Sequence, residues 1–139
     1  MRGTTHLAAG LVASAVLAPG ATGCALIVFG SLLSDIDTPA STISHRTTGL
    51  PGLFLEHRGI THSSPFTTVA ACVSPYIAIG LITHMVLDMF NPSGIRIFWP
   101  LKYRLSLGSI STGGLLDSIL GLTLFAGAIL ITAYKHGLL

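Results

Sequence analysis

LAAGLVASAVLAPGATGCALIVFGSLL, residues 7 to 33, decides how this chain folds. The stretch carries no charged residue. As one helix its 27 residues would run for about 40 Å at 1.5 Å per residue, leaving His6 and Asp35 at opposite ends. Pro19-Gly20, with Gly23 close behind, offers another reading. Proline disrupts a continuous helix and Pro-Gly marks a turn, so the run folds as a hairpin that returns Asp35 and Asp37 to the side of His6. Residues 64 to 83 are likewise uncharged and are divided at Ser74-Pro75. In that topology His57 and His62 open the third helix, while His84 and Asp88 close the fourth.

The positions of the cations favour the hairpins. Short cytoplasmic segments of membrane proteins are enriched in Lys and Arg. Two hairpins put Arg2, Arg46, Arg58, Arg96, Lys102 and Arg104 on one face and Lys135 on the other, whereas single spans split the seven four to three. Half of the 139 residues are hydrophobic, 9% are charged and the mean hydropathy is +0.77. A soluble domain is about one-quarter charged, and about 20 apolar residues span a bilayer. The expected architecture is therefore all-α and integral to the membrane. It is a compact bundle of about five short helices, two hairpins plus a C-terminal helix, in a single membrane-embedded domain over residues 1–139. Helices of about 12 to 15 residues are short for the hydrocarbon core and must tilt or thin the bilayer locally.

Other features exclude several alternatives. A net charge of +2 argues against nucleic acid as a partner. Cys24 and Cys72 sit in apolar runs with neither metal-type nor redox-type spacing and read as free core thiols. The N-terminal run has the outline of a secretory signal, but the second apolar run, CALIVFGSLL, makes a hairpin or uncleaved anchor the better reading.

The ionisable residues lie at the ends of apolar runs. His84 and Asp88, four residues apart in THMVLDMF, share a helix face and can chelate one ion. Gly3, Gly10 and Ser14 surround His6 at helical spacings that let a neighbouring backbone approach closely. Blander readings exist for each. His84 and Asp88 can bond each other, His57 and His62 can be interfacial, and Asp35 and Asp37 can be loop or turn carboxylates. His45 reads as solvated, His136 as an exposed tail residue and Asp117 as a partner of the last helix's dipole. Ionisable groups in a membrane are expensive, so their convergence points to function.

His6, SDIDTPAS (34–41), HRGITHS (57–63), THMVLD (83–88), NPSG and Trp99-Pro100 together resemble the YdjM-like group of inner-membrane-associated, metal-dependent hydrolases. The resemblance covers nearly the whole chain, although Ser34 stands where the group's pattern has proline. It implies a bacterial-type inner membrane, a hydrolytic metal centre and a link to the LexA-controlled damage response. The group is in turn distantly similar to zinc-dependent phospholipases C and single-strand nucleases.

The ligand types suit zinc, with manganese or iron as alternatives. Seven candidate ligands, His6, Asp35, Asp37, His57, His62, His84 and Asp88, are enough for one or two ions. Arg58 is placed to hold a phosphate and Glu56 to act as an outer-shell base, while Ser63 caps a helix. The resulting expectation is a membrane-bound hydrolase acting on a phosphoester, such as a lipid head group, with its site facing the cytoplasm. Membrane lipids are the expected partners, and the basic segment RIFWPLKYR (96–104) suits anionic head groups. Two other classes fit less well: a small transporter or proton relay, which predicts ionisable groups throughout the membrane depth, and a non-catalytic protein with a structural metal.

Overall fold

The computed structural model describes residues 1–18, 20–37 and 59–139. Five α-helices account for most of them: α1 Gly3–Leu17, α2 Ala21–Leu33, α3 Ser64–Val73, α4 Pro75–Met89 and α5 Leu115–Lys135. Short 3-10 turns cover Ser34–Asp37 and Ile60–His62. The described residues form no β-strand beyond an isolated antiparallel bridge between Ile95 and Leu105.

Local chemistry sets the breaks between helices. Ser63 is extended, and its hydroxyl accepts from the Phe66 N–H at 3.4 Å, which caps α3. His62 therefore sits in a 3-10 turn ahead of α3, not within its first turn as expected. Ser74 is also extended and Pro75 starts α4, a position where proline's missing N–H costs nothing.

Small residues determine how closely the helices pack. A Cβ on Gly30 would collide with the Ile77 carbonyl, and one on Gly80 with the Ile27 carbonyl, so α2 and α4 touch backbone to backbone. Gly10 of α1 faces the Ser31 side chain of α2 in the same manner. α5 lies along α1, fastened at one end by Arg2 and Asp117 and at the other by Lys135, whose Nζ donates to the Val16 carbonyl at 3.1 Å. Hence α1, α3 and α5 run away from the histidine-bearing end, and α2 and α4 return to it.

The interior of this bundle is unusually polar. Its fully buried side chains include Ile27, Leu81 and Ile95, but also His6, His62, His84, Asp88 and Asp117. Large apolar side chains of α5, among them Leu122, Phe125 and Ile129, are exposed instead. At 21 residues α5 is longer than the expected short helices, and it alone among the described helices is long and apolar enough to cross a membrane. The other four have 15, 13, 10 and 15 residues.

Candidate metal centre

The end of the bundle where α2 and α4 finish gathers His6 from α1, Asp35 from the turn after α2, His62 from the turn before α3, and His84 and Asp88 from α4. His6, His62 and His84 are fully buried, and Asp88 is 2% exposed.

His84 is oriented by the close α2–α4 contact. Its Nδ1 lies 2.7 Å from the Ser31 carbonyl oxygen, which only accepts hydrogen bonds, so Nδ1 carries the proton. In the neutral ring Nε2 then presents a lone pair toward the cluster. That Nε2 is 3.0 Å from His62 Nε2, 3.8 Å from Asp88 Oδ2 and 3.8 Å from Asp35 Oδ1. His62 is held from behind by Thr61, whose Oγ1 lies 3.1 Å from Nδ1, and its Nε2 is 3.5 Å from Asp88 Oδ2. The His6 ring stacks on His84 with centroids 3.6 Å apart, and its Nε2 is 3.3 Å from Asp88 Oδ1. The α-amino group of Met1 lies 2.6 Å from the same oxygen.

The donor set fits a divalent cation. His6, His84 and Asp88 each offer a ligand atom, and these atoms all lie within 4.8 Å of one another. Among the described residues neither ring nitrogen of His6 has a hydrogen-bond partner with proper geometry, although both are buried. Such orphaned groups are rare and need an explanation. A cation would supply one for the ring nitrogen that carries the lone pair, because a metal accepts that pair. Burial pushes the Asp35 carboxyl above its ordinary value; nearby His6 opposes the rise and Asp88 adds to it. A cation here favours the carboxylate form.

Of the seven ligands expected from the sequence, the structure brings together five: His6, Asp35, His62, His84 and Asp88. Glu56, His57, Arg58 and His45 lie outside the described residues, as does the Asp37 side chain. Sequence reasoning missed Ser31 and Thr61, which act through a carbonyl and a hydroxyl that carry no chemical signature of their own. It also gave Asp117 too small a part. This fully buried carboxylate accepts from the Arg2 N–H at 3.1 Å, the Thr5 hydroxyl at 2.7 Å and the Gly113 N–H at 2.7 Å, tying α1 to α5.

Helical packing and geometry define a small all-helical protein with a buried His/Asp cluster, compatible with a metal, at one end of the bundle. The chain belongs to the YdjM inner membrane protein family, whose family model matches residues 1–138. It is 25% identical over 120 residues to Inner membrane protein YdjM of Escherichia coli (strain K12), covering 70% of this chain and 60% of that protein. The protein of the same name from Shigella flexneri matches with the same identity and coverage. The chain thus spans about 60% of the length of the curated relatives it matches. No solved structure matches it.

Proposed function

We propose that the chain is an integral membrane protein whose cluster holds one or two divalent metal ions, most simply zinc, and hydrolyses a phosphoester at the cytoplasmic head-group layer. The observation that carries this reading is the meeting of three buried imidazoles and two carboxylates, with His6 left without any other hydrogen-bond partner among the described residues. His6, His84 and Asp88 are the central ligands, with Asp35 and His62 completing the set. Asp37 and His57 are further ligands in the same proposal. Once bound, a divalent ion supplies Lewis-acid polarisation and an acidified water. Arg58 would hold the phosphate of the substrate through its fork, and Glu56 would serve as the outer-shell base.

Membrane integration is supported by the polar interior, the exposed apolar surface of α5 and the family's inner-membrane name. A cytoplasmic site is supported by Arg2, Arg96, Lys102 and Arg104 at the cluster's end of the bundle, against Lys135 at the other. A relay or transporter is disfavoured because the ionisable groups gather at one end instead of lining the membrane depth.

The test is elemental analysis of detergent-purified protein, followed by phosphodiesterase and phospholipid-hydrolysis assays. Expected are about one or two equivalents of metal in the wild type, loss of metal in His84→Ala, and retained metal with lost turnover in Arg58→Ala. A wild type that stays metal-free after reconstitution sinks the whole reading. A metal-loaded protein without turnover on either substrate class leaves a structural metal and removes the hydrolase.

A further inference from the structure

The excursion between α4 and α5 contributes none of the cluster's five residues, yet it is built onto both of the cluster's motifs. Ser64, two residues after His62, donates through its N–H and its hydroxyl to the Ile97 carbonyl at 2.8 and 3.0 Å. Beyond Asp88, the Met89 and Phe90 carbonyls accept from the Leu107 and Ile110 N–H groups at 2.7 and 2.9 Å. Between these fastenings the chain forms a hooked ribbon, closed by paired Ile95 and Leu105 hydrogen bonds of 3.0 and 2.9 Å. Gly94 makes the turn into it with φ +59°, close to the Leu105 carbonyl.

The ribbon is anchored inward and apolar outward. Ile95 is completely buried, while Phe98 is 61% and Tyr103 is 68% exposed; Trp99 and Leu101 are exposed beside them. Lys102 and Arg104 are exposed among these side chains, and residues 89 to 116 contain no Asp or Glu. Two physical constraints select the surroundings. Irregular backbone leaves polar groups that hydrocarbon cannot satisfy, so the ribbon does not sit within the bilayer core. Large aromatic side chains interleaved with cations are equally out of place in bulk water, and match the head-group layer.

We infer that residues 94–105 are an interfacial anchor that docks on an anionic leaflet and holds the His62 and Asp88 end of the bundle at head-group level. The cations meet lipid phosphates, and Phe98, Trp99 and Tyr103 sink to the acyl boundary. This rests on the membrane placement proposed above, but not on metal binding or hydrolysis.

Trp99 is the only tryptophan in the chain, so its fluorescence reports on this ribbon alone. The protein is reconstituted into phosphatidylglycerol or phosphatidylcholine vesicles, with flotation to verify incorporation. In phosphatidylglycerol, Trp99 is expected to resist quenching by iodide and to be quenched more by bromine near the head-group end of the acyl chain than near its terminal methyl. Lys102→Gln and Arg104→Gln are each expected to weaken the preference for phosphatidylglycerol about fivefold, with helicity unchanged. Protein that floats with vesicles but leaves Trp99 open to iodide in both lipids overturns the anchor while the membrane placement stands. Shielding that is equal in both lipids and rises with protein density points to a second copy as the occupant and overturns it too. Failure to float overturns the placement and the anchor together.

Discussion

Asp88 and Asp117 are both buried carboxylates near the same end of the bundle, and the difference between their surroundings separates a tie from a site. Asp117 is met by fixed donors: the Arg2 and Gly113 N–H groups and the Thr5 hydroxyl. Every one of these has a hydrogen to give, and the result is a clamp between α1 and α5. Asp88 accepts from the Met1 α-amino group at 2.6 Å, and its other neighbours are ring nitrogens of His6, His62 and His84 at 3.3, 3.5 and 3.8 Å. An imidazole can offer either a proton or a lone pair, and His84 has its proton committed to Ser31 on the far side. Beside that ammonium group, Asp88 thus faces rings that can turn a lone pair toward it, a setting compatible with a bound cation that the Asp117 clamp does not offer.

The largest expected effect is therefore on metal content. Asp88→Asn preserves shape but removes the charge that balances a cation, and should bring bound metal from about one or two equivalents to near none by elemental analysis. Asp117→Ala should retain the metal. It should instead lower stability by about 2–4 kcal/mol in detergent unfolding experiments, because three buried or half-buried donors lose their acceptor. Metal loss in both variants would erase the distinction and show that the α1–α5 clamp is part of the centre.

A smaller effect is expected where packing sets the geometry. Gly80→Ala places a Cβ against the Ile27 carbonyl and the Ser31 N–H, forcing α2 and α4 apart. The cost should be about 1–3 kcal/mol, and metal affinity should fall as well, because the Ser31 carbonyl moves away from His84. Gly127→Ala, with open space around its Cβ, should change neither.

Gly80 also shows how far the sequence could be read. The break between α1 and α2, after Ala18 and before Gly20, and the break at Ser74-Pro75 were legible because proline and glycine act on their own neighbours. Once helices reverse there, His6, Asp35, His84 and Asp88 must share an end, and the i, i+4 spacing of the last two already put them on one face. What stayed hidden depends on pairs distant in sequence. Gly30 meets Ile77 and Gly80 meets Ile27, and only this approach lets a backbone carbonyl at position 31 reach an imidazole 53 residues away. The clamp at Asp117 was hidden for a similar reason: two of its three donors belong to α1 and the residue before it, more than 100 residues earlier. A local reading saw an acid in a first turn and stopped at the helix dipole.

The finest test of the comparison uses two threonines. Thr61 Oγ1 lies 3.1 Å from His62 Nδ1, and Thr5 Oγ1 lies 2.7 Å from Asp117 Oδ1, both buried. A hydroxyl can accept from Nδ1–H and so hold His62 with its Nε2 lone pair facing the cluster, which is how outer partners orient metal-binding histidines. Valine has nearly the same shape but no hydroxyl. Thr61→Val should therefore weaken metal binding about tenfold, with Thr61→Ser restoring it. Thr5→Val should cost about 1 kcal/mol of stability and leave metal affinity where it was. If both substitutions acted only on stability, His62 would be held by packing alone, and the centre would reduce to His6, His84 and Asp88.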